Sequence, residues 1–493
     1  MRQHARSASR LSGVQRLFES RYGRTLWPAI AALIALSACR GAGEGATFAP
    51  LSSDRVRHSY LQPAYHASGR IKHVVIIIQE NRSFNNLFYG FPGAKTVSYG
   101  YNEQGAKIAL KPVTLATTWD LQHSARDYLL SCDGTGSIPG TSCKMDGFDE
   151  QKWTCGGSGP KCPNENPPYS YVPHNETKPY FDMARQYVLA DEMFSSDFDM
   201  SSFISHQYII AGQNPNSTVN YPDGLWGCPG GKPDQIDVMG ARRKIPDGQV
   251  RSCWDPKTIG DELDDAGISW AYYASAIKDL GKACGTSPLG YKGGGSGIWS
   301  AYQAIKHVCY GSDWANDVIS PPTQFFQDVK NNALRTVSWV TPSYKNSDHG
   351  GAGSKTGPSW VASLVDAIGD SPYWDSTAIF IFWDDSGGWY DSVPPAYVDN
   401  DGLGFRLPLL IISPYAKQGL VSHTHYEHGS ILKFVENQFA LARLAASDSR
   451  AKSPESDCFD FSQPPRAFRP IAAPYPQSYF EHQAIDLRSP DTQ

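Results

Sequence analysis

Three runs along the chain, "HVVIIIQ" at 73–79, "STAIFIFWDD" at 376–385 and "RLPLLIISP" at 406–414, are apolar almost without interruption. A strand that alternates apolar and polar residues has one wet face, whereas a strand apolar on both faces needs cover on both. Between and around these runs lie stretches with helical spacing. "YFDMARQYVLADEMF" (180–194) reads as a helix running into a short strand, and "SSFISHQYIIAGQ" (201–213) reads as a helix. "KTIGDELDDAGISWAYYA" (257–274) is a helix turned by Gly267 into a strand, and "ALRTVSWVTP" (333–342) is a further strand. Strands alternating with helices predict an α/β fold, a three-layer sandwich with a central, largely parallel sheet.

The chain has 493 residues and a formal net charge of −5. Its Lys and Arg are scattered, so the basic footprint of a nucleic-acid partner is missing. Residues 1–39 form a unit of their own: an arginine-containing start, then the apolar "LWPAIAALIALSAC". The thirteen residues from Leu26 to Ala38 are short for a bilayer span and suit the apolar core of a signal peptide. Residues 40–70 read as a polar tether, 71–460 as the folded body, and 461–493 as a Pro-rich tail that either wraps the body or is disordered.

Export agrees with the cysteines. Cys132, Cys143, Cys155, Cys162, Cys228, Cys253, Cys284 and Cys309 fall into neighbouring couples within long Gly- and Pro-rich loops, where local disulfides would pin segments lacking a core of their own. The connectivity itself is open. Cys458 is left over, and no C-x-x-C pair supports a zinc thiolate site.

Two of the strands end in polar groups that an inert core would not choose. The first ends in Glu80 and Asn81, the second in Asp384 and Asp385. Ligands bind beyond the carboxyl ends of strands in open α/β sheets, so both clusters are expected at one edge. Three carboxylates gathered there repel one another unless a cation lies among them. Their oxygen donors favour Ca²⁺, Mg²⁺ or Mn²⁺, with Zn²⁺ admitted if histidines join. Against this stands a simpler reading in which "DDSGG" is a turn and Glu80-Asn81 caps a helix.

The motif "ENRSFNNLFYG" (80–90) resembles the opening signature of the bacterial phosphoesterase family of non-haemolytic phospholipases C and acid phosphatases. Further matches follow in order: "MDGF", "SSFISHQYIIAGQ", "VTPSYKNSDHGG", "FIFWDDSGGWYDSVPP" and "HGSILKFVENQF". The resemblance implies an alkaline-phosphatase-like fold and metal-dependent hydrolysis of a phosphomonoester or phospholipid through a phosphoserine. It places Glu80, Asn81, Asp384, Asp385 and Ser202 as metal ligands, with Ser202 also the nucleophile and Ser201 the fallback. It places His123 and His349 against the phosphoryl oxygens. "LSAC" (36–39) resembles a lipobox, implying a lipid anchor at Cys39 and an envelope lipoprotein, with plain secretion as the alternative.

Some letters depart from the pattern. Asn85 stands where the family has Asp, and Ile204-Ser205 where it has Pro-Asn. Arg82 reads as a partner in an ordinary ion pair, and the cluster His423, His425 and His428 as a helix entry with several rings in solvent. A rival from another class is a non-catalytic lipoprotein that grips glycans with its aromatic-rich loops on the same fold. The metal's identity, the choice between monoester and diester, and the oligomeric state are not legible.

Overall fold

The first apolar run folds as strand β1 (His73–Gln79), buried from Val74 onward. Val and Ile suit a pleated position covered on both faces, and each such side chain withdrawn from water contributes roughly 1.5–3 kcal/mol. The computed structural model describes residues 69–155, 163, 165–220, 227–230, 235–275, 284 and 300–486. The expected signal peptide with Cys39, nearly all of the tether, and Cys162 lie outside the described residues.

β1 shares one sheet with β2 (Val188–Phe194), β3 (Trp270–Tyr273), β4 (Val318–Ile319), β5 (Val337–Val340), β6 (Thr377–Trp383), β7 (Arg406–Ile412), β8 (Leu420–Ser422) and β9 (Tyr426–Glu427). The order across the sheet is β4-β3-β5-β1-β6-β7-β2-β8, and β9 also pairs with β2. Only β7 runs against its neighbours; the other pairings are parallel.

Among the described residues, the helices covering the faces include α1 (Lys178–Gln186), α2 (Ser202–Ala211), α3 (Ile259–Asp265), α4 (Gln324–Lys330), α5 (Gly357–Gly369) and α6 (His428–Phe439). The alternation along β6 separates the two layers. Phe380 and Phe382 meet Phe434 and His428 of α6, whereas Trp383 meets Tyr180 of α1 on the other side. Helices α2 and α3 join α6 in its layer, and α4 and α5 join α1 in the other. The expected three-layer α/β sandwich is therefore present.

The long loops are pinned as their composition suggests. Disulfides join Cys132 to Cys143, Cys228 to Cys253 and Cys284 to Cys309, each within one loop region, while Cys458 is a buried thiol. Near the C-terminus, Ile471 and Phe480 are buried, and Phe480 packs against Trp360 of α5. Among the described residues no helix is long and apolar enough to cross a membrane.

Candidate active site

The parallel register of β1 and β6 sets Gln79 beside Trp383, so the two polar clusters leave the sheet side by side at its carboxyl edge. The Asn81 amide donates to Asp384 Oδ1 at 3.2 Å. Asn81 itself takes a left-handed backbone, φ 54°, which Asn tolerates better than most residues. Gly387 is required next to it, since a Cβ there would come within 2.4 Å of the Asn81 carbonyl oxygen. Asp385 Oδ1 accepts the Gly387 amide at 2.6 Å, so "DDSGG" does make a turn, and that turn aims both carboxylates at Glu80.

Helix α2 supplies the next groups. It is buried along its whole length, and residues 202 and 206 share a face because they are four apart. Ser202 Oγ lies 3.3 Å from Glu80 Oε2 and 3.3 Å from Asp385 Oδ2. Ser201 caps the helix, and its hydroxyl finds no hydrogen-bond partner among the described residues. His206 reaches the cluster too, with Nε2 3.0 Å from Glu80 Oε1 and 3.7 Å from Asp384 Oδ2. The sequence reading missed His206 as a site residue; its i, i+4 relation to Ser202 was the available signal.

His123 and His349 arrive from loops, the first after the short strand Trp119–Leu121 and the second from the segment following β5. His123 Nδ1 donates to the Leu121 carbonyl at 2.6 Å, and His349 Nδ1 to the Gly350 carbonyl at 2.5 Å. A carbonyl only accepts, so both rings carry their proton on Nδ1 and turn Nε2 toward the cluster. The ring centroids are 5.6 Å apart. Asp120, also missed from sequence, is buried with Oδ2 3.7 Å from His349 Nδ1.

All seven residues expected from the sequence, Glu80, Asn81, His123, Ser202, His349, Asp384 and Asp385, are thus buried in one place. Burial and the neighbouring Asp384 push Glu80 well above the usual carboxylate range, and burial with Asp384 does the same to Asp385. Burial pulls His206 down to about 4, with Asp384 opposing. Three carboxylates held this close cannot all ionise without a counter-charge.

The Asn81 side chain tests whether a cation fits. One of its two polar atoms is 2.9 Å from Glu80 Oε2 and 3.3 Å from Asp384 Oδ1; the other is 2.7 Å from His123 Nε2 and 3.2 Å from His349 Nε2. Without a cation the nitrogen belongs on the carboxylates. With a cation among them the oxygen belongs there, and the NH₂ group donates to the unprotonated Nε2 of each imidazole. The amide can serve either arrangement, whereas Asp384 Oδ2, buried with no hydrogen bond among the described residues, is a waiting donor in both. The residues fit a divalent cation.

Other expectations need correction. Among the described residues Arg82 makes no ion pair: it is fully buried, donating to the carbonyls of Asp348 (2.7 Å) and Leu115 (3.3 Å), and stacks over Trp389. Asn85 does not approach the carboxylates; its side chain accepts from the Val97 amide at 2.8 Å, a local loop clasp. Of the clustered histidines, only His423 is well exposed, and it pairs with Asp191 at 2.8 Å. His425 stacks on Phe194, and His428 is buried against Phe382 because the first turn of α6 lies under β6.

The Phosphoesterase family model matches residues 71–442. "Phospholipase C B" of Mycobacterium tuberculosis (strain CDC 1551 / Oshkosh) is 27% identical over 452 residues, covering 81% of this chain and 80% of that protein. "Non-hemolytic phospholipase C" of Pseudomonas aeruginosa is 24% identical over 463 residues, covering 84% of this chain and 60% of that protein. A solved Vibrio parahaemolyticus protein of the alkaline phosphatase superfamily overlaps 80% of this chain and 73% of its own, at 12% identity and a TM-score of 0.35, too low to carry any argument. With the family model spanning most of its length, the chain belongs to the Phosphoesterase family and is a hydrolase of phosphoric esters.

Proposed function

We propose that the chain hydrolyses phosphate esters through a phosphoserine at Ser202. The observation that carries this reading is the placement of Ser202 Oγ 3.3 Å from both Glu80 Oε2 and Asp385 Oδ2, among buried carboxylates. Glu80, Asn81, Asp384, Asp385 and Ser202 are the groups that would hold a divalent cation, with His206 adding one nitrogen donor close by. Bound there, the cation would neutralise the carboxylates and lower the pKa of the serine hydroxyl.

Ser202 Oγ gives up its proton and attacks phosphorus; the new P–O bond forms as the bond to the leaving alcohol or diglyceride breaks, and the serine's proton is passed by way of an imidazole to that leaving oxygen. His123 and His349 are fixed through Nδ1, and Nε2, held by Asn81 before an ester binds, is the atom of either ring that would be released to exchange a proton with the reacting groups. Water then cleaves the serine phosphate, releasing phosphate from a monoester or a phosphorylated alcohol from a diester, and the serine regains its proton. The relatives named phospholipase C support a phospholipid diester as substrate.

The glycan-binding alternative is not favoured. It has no use for a buried carboxylate set that meets a serine, and the family match runs through every motif of that set. Export of the protein, with a lipid anchor at Cys39, belongs to the same proposal and is supported by the "LSAC" motif and by the disulfides. Labelled palmitate incorporated by the wild type and lost in Cys39→Ser is the expected result; equal labelling contradicts the anchor.

The test of the activity is a panel of p-nitrophenyl phosphate, p-nitrophenyl phosphorylcholine and phosphatidylcholine, each with and without chelator. Chelator-sensitive turnover of at least one ester is expected. Turnover of none by the cation-loaded protein, or turnover of all indifferent to chelator, contradicts the reading.

A further inference from the structure

The sheet has a second edge, opposite the carboxylates. Tyr187 precedes β2, and the turn after β7 leads through Gln418 into β8, so both lie at the amino edge of the parallel strands. There Gln186, Tyr187, Gln418, Arg466, Ala467 and Arg469 line a cavity of about 270 Å³. It shares no residue with the catalytic cluster.

Two arginines line this cavity. Arg185, Arg406, Arg443 and Arg450 each have a carboxylate partner. Among the described residues, Arg466 and Arg469 make no ion pair with any carboxylate; the groups that act on the Arg466 charge are burial, the Tyr187 hydroxyl and Arg469 itself. Arg466 is held by hydrogen bonds from Nη2 to the Ala416 carbonyl (2.7 Å) and from Nη1 to the Gln186 carbonyl (3.4 Å), with its guanidinium 5.3 Å over the Tyr187 ring. Its Nε is buried with no hydrogen-bond partner among the described residues. Asp366, which acts electrostatically on Tyr187, is engaged by the Ile471 amide at 2.9 Å.

Arg466 and Arg469 line one cavity with no carboxylate ion pair among the described residues, so an anion entering it would meet two positive charges. Guanidinium groups match the oxygens of a phosphate in bidentate geometry. We propose that this cavity is a second anion site, taking the phosphate group of a small phosphorylated molecule, of free phosphate or of an anionic lipid headgroup, remote from the centre that hydrolyses esters.

The test uses Ser202→Ala protein, which leaves lipid intact, and compares it with the same protein carrying Arg466→Lys and Arg469→Ala. Inorganic phosphate is titrated by calorimetry, and vesicles of phosphatidylglycerol or of phosphatidylcholine are used in sedimentation. Loss of one phosphate site, or binding there weakened at least tenfold, identifies free phosphate as a source. Arginine-dependent binding to phosphatidylglycerol but not phosphatidylcholine vesicles identifies the lipid headgroup. In the Ser202-containing enzyme, the arginine changes should leave kcat/KM for p-nitrophenyl phosphate, and its inhibition by phosphate, within twofold. Arg469→Ala alone, an exposed position, serves if the double change disturbs folding. Equal binding of both probes with and without the arginines overturns the proposal.

Discussion

Gln79 and Trp383 stand side by side in neighbouring parallel strands, and the Gln79 carbonyl accepts the amide hydrogen of Asp384 at 3.1 Å. That one register places Glu80, Asn81, Asp384 and Asp385 at a common exit from the sheet. A one-residue slip would turn every side chain of β6 to the opposite face, and the carboxylates would part.

The carboxylate cluster ties stability to the cation. A ligand bound only by the native state at a hundred times its Kd stabilises by about 2.7 kcal/mol. Chelator-treated protein should therefore melt several degrees below the cation-loaded form and recover on adding back the divalent ion, followed by calorimetry. Equal melting of the two forms contradicts a cation held by Glu80, Asp384 and Asp385.

Asp120 is predicted to position His349. It lies against the ring's Nδ1 side, and a Cβ at Gly350 would come within 2.0 Å of Asp120 Oδ1. Asp120→Asn should lower kcat by about tenfold or more with little change in KM, within the range of general acid–base effects. Gly350→Ala should move kcat the same way, by displacing that carboxylate. A loss confined to KM would make Asp120 a substrate contact instead.

Much of this was legible. Near-continuous apolar runs announced the buried strands, and the polar residues ending two of them announced the site. His206 and Asp120 escaped because their relevance comes from a helix face and a loop crossing, which single-residue motifs do not display. Arg82 escaped for a related reason: a buried guanidinium satisfied by carbonyls and a Trp ring leaves no charge pattern in the sequence. His428 looked exposed from its polar neighbours, yet tertiary packing under β6 decided its burial.

Glu436, in α6, carries a pH signature of its own. Burial, then repulsion from Asp448, pushes it up to about 8, despite the Arg443 guanidinium at 2.7 Å. The folded protein thus binds a proton here that the unfolded chain releases near 4.5. This contribution to stability is full below the unfolded value and is lost as pH rises through about 8. Glu436→Gln should flatten the decline in denaturation midpoint between pH 5 and 9; an unchanged slope contradicts the shift.

The most direct measurement is on Ser202→Ala, assayed for bound metal and for turnover of p-nitrophenyl phosphate and p-nitrophenyl phosphorylcholine. Glu80, Asn81, Asp384 and Asp385 remain, so the variant should keep its cation while turnover falls by at least about a thousandfold, as for loss of a nucleophile. Undiminished turnover in a folded, cation-loaded variant would contradict catalysis by Ser202.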